Sequence, residues 1–189
     1  MESVLRGLTL FACAAVLSAQ APPPPQADGL DNDWDIAVVL GEIGDHALRL
    51  LPQLDKVNVN SWVLKGASDT YMAQLQSCKE QARALADGAK ALARNPQKLS
   101  ASLELFFRMH GLEQMLSSLE EGIRKYQGSN DAQALIALEA ENGANRDRFE
   151  HYIVNLASDR EHDLQVMDRE AQRCRGTLSQ SPSRPGRKK

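Results

Sequence analysis

Aromatic side chains are scarce in this chain: Phe, Trp and Tyr together make up 5% of its 189 residues. A core so short of rings must rest on Leu, Ala, Ile, Val and Met, the usual filling between helices packed side by side. Cysteine is scarce as well, with three residues and no Cys-x-x-Cys pair. There is no Gly-x-Ser-x-Gly elbow and no phosphate-binding glycine loop, so the common motif-borne nucleophiles and nucleotide cradles are missing. A di-iron bundle needs Glu-x-x-His on each of two helices, and no such motif occurs. No apolar run approaches the roughly 20 residues that span a membrane as a helix. No segment alternates apolar and polar residues with β-branched side chains, so strands are not expected. These absences argue against an enzyme and against a bound cofactor.

Charge is likewise short on one side. The net charge of -3 hides a basic end, where Arg184, Arg187, Lys188 and Lys189 crowd together. The rest is more acidic than the total, which gives no reason to expect a nucleic-acid partner. Hydrophobic content of 42% and charged content of 25% suit a soluble globular domain.

What is present starts with a leader. Met1–Arg6 is polar, Gly7–Leu17 is apolar, and Ser18–Ala21 is rich in small residues. That order predicts a secretory signal peptide over 1–21, with cleavage near 18–21. Pro22 follows Ala21 directly, so cleavage after Ser18 or Ala19 is an alternative to cleavage after Ala21. Pro22–Pro25 then begins a Pro-rich linker over 22–32 that favours extended polyproline backbone. A helical domain is expected over 33–176, and a disordered basic tail over 177–189.

Within the domain, apolar residues recur at spacings of three and four. A first helix over about 33–55 lines up Ile36, Leu40, Ile43, Ala47, Leu50 and Leu54, and 57–61 reads as a connection. A second runs from about 63–69 to Arg94 and carries Tyr71, Leu75, Cys78, Ala82, Leu85, Ala89 and Leu92. Asn95 is expected to cap a third helix with Pro96 at its first position. That helix, about 96–126, carries Leu99, Leu103, Phe106, Met109, Leu112, Leu116, Leu119, Ile123 and Tyr126. Gly128 fits a left-handed C-terminal residue. A fourth helix opens at 129–131 and extends to about Arg175, with Phe149, Ile153, Leu156, Leu164, Met167, Ala171 and Cys174 on its stripe. At 1.5 Å per residue it reaches about 67 Å, far longer than the third. It therefore overhangs the others or breaks, and Asn142-Gly143 is where a break falls.

The expected fold is all-α: an elongated up-down bundle of about four helices with coiled-coil-like packing and a long C-terminal helix. Cys78 and Cys174 admit a disulfide in an oxidising compartment. Their helices run the same way, however, and the offset along the bundle is about 40 Å, against a Cα separation under about 7 Å. Buried or intermolecular thiols are the alternative. Asp147/His151 and Asp159/His162 share helix faces and offer weak metal-binding pairs, beside the plainer reading of a solvated charged face. His110 reads as a satisfied buried histidine. Arg184, Arg187, Lys188 and Lys189 offer a weak contact to anionic surfaces. The function expected is that of an exported, secreted or periplasmic, helical bundle with a structural or protein-interaction role. Its partner would be another protein or a second copy. A carrier holding an apolar ligand or a metal between helices is the alternative.

Overall fold

The computed structural model describes residues 35–179. The expected leader and Pro-rich linker, and the basic residues Arg184, Arg187, Lys188 and Lys189, lie outside them. Six helices follow one another: α1 (Ile36–Asp55), α2 (Val59–Leu64), α3 (Thr70–Ala93), α4 (Leu99–Tyr126), α5 (Ser129–Ala140) and α6 (Gly143–Ser179). No strand occurs among the described residues, and no helix there is long and apolar enough to cross a membrane.

The four-rod, up-down plan holds, because α5 and α6 lie end to end as one broken rod. α1 packs on α3, and α3 on α4. Each is antiparallel to the next, as shown by Asp55 meeting Lys79 at 2.7 Å while Gly44 faces Ala86 and Ala89. Gln74 reaches the Met115 carbonyl, and Arg108 reaches Gln81. α5 and α6 then run back along α4 and α1. His46 of α1 meets Leu138 of α5, and Tyr152 of α6 donates its hydroxyl to the Pro96 carbonyl at 2.9 Å.

The core is aliphatic, as the composition requires. Leu40, Ile43, Ala47, Leu54, Leu116 and Leu119 are among its sealed residues. One stretch departs from the pattern. The connection at 57–61 contains the first half of α2, capped by Asn58, whose side chain accepts from the Ser61 N–H at 3.2 Å. α2 buries Trp62 completely. It closes in a Schellman motif: Gly66 has φ 88°, its N–H reaches the Val63 carbonyl, and the Ala67 N–H reaches the Trp62 carbonyl. The indole lies edge-on to Tyr71 (5.5 Å, 81°) and stacked beside Tyr126 (5.9 Å, 26°). Gly122 makes room for this group, since a Cβ there would stand 2.9 Å from ring atoms of both Trp62 and Tyr71.

Two expected caps take other forms. Asn95 and Pro96 sit in the turn, and α4 begins only at Leu99. Gly128 follows α4 with φ 159° and ψ 154°, which is nearly extended rather than left-handed backbone.

Candidate functional site

α6 begins where the rod breaks, at Glu141–Asn142, with the Asn142 carbonyl accepting from the Arg146 N–H at 3.0 Å. Its first half turns Phe149, Tyr152, Ile153 and Leu156 into the bundle. From Ser158 to Thr177 every residue is exposed. Both expected outcomes for the long fourth helix therefore occur: it breaks, and it overhangs. Arg160 is the last side chain tied back, with its guanidinium 3.3 Å from the Gln97 carbonyl. The overhang is about 30 Å long at the helical rise. Its apolar stripe continues uncovered: Leu164 is 66% exposed and Met167 is 67% exposed.

The residues singled out by spacing fall mostly on this helix. Asp147, His151, Asp159 and His162 are all exposed on α6. Asp147 pairs with Arg146 at 3.2 Å. Among the described residues, no three His, Cys, Asp or Glu side chains stand close enough to hold a metal ion. Cys78 is buried in α3 and Cys174 is exposed on the overhang, and both are free thiols. The axial offset keeps them apart, and burial pushes the Cys78 thiol up to about 11. His110 is exposed rather than buried; it stands edge-on to Phe106 and 2.9 Å from Glu113.

A second candidate site escaped the periodicity. Beside the break lies a cavity of about 20 Å³ lined in part by His46, Met109, Glu113, Glu139 and Asn142. His46 Nε2–H donates to the Leu138 carbonyl at 2.7 Å. Burial, the largest influence, holds the imidazole below its ordinary pKa. The Glu139 carboxyl is pushed up to about 7, first by desolvation and then by the hydrogen bond and charge of Glu120, with Glu113 adding to the rise and Arg146 opposing it. A neighbouring like charge in a partly dry site disfavours the ionised form of Glu139. Glu120 Oε1 and Asn142 Oδ1 are buried without a hydrogen-bond partner. The space suits one water molecule bridging such groups. Asn142-Gly143 marks the place in the sequence, but no spacing singles out Glu120 or Glu139.

The chain was also compared with known proteins. No family model, curated protein or solved structure matches it. The reading of its function therefore rests on the geometry of α6 and the cluster at its base.

Proposed function

We propose that this is an exported interaction protein whose helical bundle holds out the second half of α6 to a helical protein partner. Its role is then structural or associative, in the cell envelope or outside the cell. The observation that carries the reading is the uncovered stripe. Leu164, Met167, Ala171 and Cys174 continue the spacing that buries Ile153 and Leu156, yet nothing in the bundle reaches them. Sustained heptad spacing of this kind suits a second helix. The carrier alternative needs enclosed space between the helices; the pocket at the rod's break holds about 20 Å³, and the cleft of about 280 Å³ beside Gly88 and Leu105, between α3 and α4, is partly open to the surface.

Photo-crosslinking in cells that make the protein tests this reading. A photoreactive residue at Leu164 or Met167 should give protein adducts, whereas one at His162 or Arg169, on the other side of the helix, should give few. Equal labelling of both sides, or none on either, would count against an interaction face.

A further inference from the structure

We infer that the free half of α6 pairs antiparallel with the same segment of a second copy, about a two-fold axis that crosses the seam between Met167 and Ala171. This deepens the interaction reading and rests on it. The stripe that enters the bundle at Ile153 runs on through Arg160, Leu164, Met167, Ala171 and Cys174 at spacings of seven, four, three, four and three. A second α6 laid on that face in the same direction and register would drive its own residues 143–157 through space that α1 and α4 fill, because both pack against α6 there. An antiparallel helix avoids this collision, since its own bundle then lies beyond the far end of the overhang. The overlap is bounded at each end by Arg160, which is held to the bundle through Gln97.

Charge favours the same direction. Asp159, Glu161, Asp163 and Asp168 load the half nearer the bundle, and Arg169, Arg173 and Arg175 load the far half, with Arg160 and Glu170 as exceptions. Antiparallel pairing lays acidic half on basic half twice, whereas parallel pairing lays like on like. In the seam, Leu164 faces Cys174 of the other copy and Met167 faces its Ala171. On the flank, Glu161 meets Arg175 of the other copy, twice by symmetry. Within one chain, Asp163 and Glu170 are taken by Arg160 and Arg173, while Glu161 and Arg175 make no ion pair with a described residue. Asp168 and Glu170 approach their own copies near the axis, and that repulsion keeps the pairing weak and reversible.

Sedimentation of the full chain across a range of concentrations should show reversible dimerisation. Leu164→Glu combined with Met167→Glu should weaken it roughly tenfold or more. Glu161→Arg and Arg175→Glu should each weaken it, and mixing the two single variants should restore the dimer, because every flanking pair is again opposite in sign. All four side chains are exposed, so unchanged circular dichroism and melting certify that each variant folds. A monomer at every concentration overturns the second-copy proposal and leaves the interaction reading to the Leu164 crosslinks. A dimer indifferent to these variants overturns it as well. A dimer linked on oxidation from Cys174 to Cys174 brings together residues that the proposed register holds apart, which overturns that antiparallel arrangement while keeping α6 as the interface.

Discussion

Residues 143–157 and 158–177 belong to the same helix, yet they owe their structure to different causes. The first stretch is fixed by burial: Phe149, Tyr152, Ile153 and Leu156 leave water against α1 and α4. The second buries no side chain and is held by local means, through Arg160–Asp163 and Arg173–Glu170 pairs three residues apart. Such pairs contribute only a few tenths of a kcal/mol each. An isolated segment of this length is marginal in water because nucleation is costly, and here the packed half supplies the nucleus from which the overhang propagates. Helix formation and packing are therefore separable: apolar spacing marks a face without showing that the same chain covers it.

Substitutions can break that comparison, and the largest effect belongs to the packed half. Phe149→Ala should cost about 3–5 kcal/mol, whereas Met167→Ala, measured by denaturant titration of dilute protein, should stay within about 0.5 kcal/mol. A large loss from Met167→Ala at low concentration would mean that the overhang packs within the monomer. The same change at two glycines should act with opposite sign. Gly122→Ala drives a methyl into Trp62 and Tyr71, 2.9 Å away, and should destabilise by about 1–3 kcal/mol. Gly176→Ala meets nothing within 4 Å and should raise the helix content of the overhang, worth up to about 1 kcal/mol locally.

The break itself predicts a pH effect. Folding raises the Glu139 carboxyl from 4.5 to about 7, so between those values the folded chain binds more protons than the unfolded one. Its contribution is complete below about 4.5 and is lost as pH rises through about 7. Glu139→Gln should remove this fall, an effect on the order of 1 kcal/mol after allowing for solvent access, seen as a flatter melting temperature from pH 5 to 8. His46 acts in the opposite sense, because its lowered pKa withdraws stability as pH falls below the ordinary imidazole range. The variant separates the two. The smallest effect is expected at the boundary, where Arg160→Ala removes the link to Gln97. It should cost about 0–1 kcal/mol and increase exchange only from Ser158 onward.

Much of this architecture is legible in the sequence, for physical reasons. Long stripes at spacings of three and four fix rods and their inward faces, and the length mismatch of the last rod foretells a break or an overhang, of which both occur. α2 is not legible, because six residues are too few for a period to show and Trp62 is held by Gly122 across the fold. Asn95-Pro96 marks a boundary correctly, yet the chain spends two more residues in the turn before α4 begins at Leu99. The raised Glu139 carboxyl is hidden for a further reason: nothing in the local sequence marks Glu120 or Glu139 for burial, which comes only when α4 and α5 pack together.

Hydrogen exchange of the full chain at low and high protein concentration separates a helix held out for a partner from one packed within the monomer. Residues 143–157 should be equally protected at both concentrations, while 158–177 should exchange quickly when dilute and slow markedly when concentrated. Strong protection of 158–177 in the dilute monomer, or none at any concentration, would contradict the account of α6 as a helix held out for a partner.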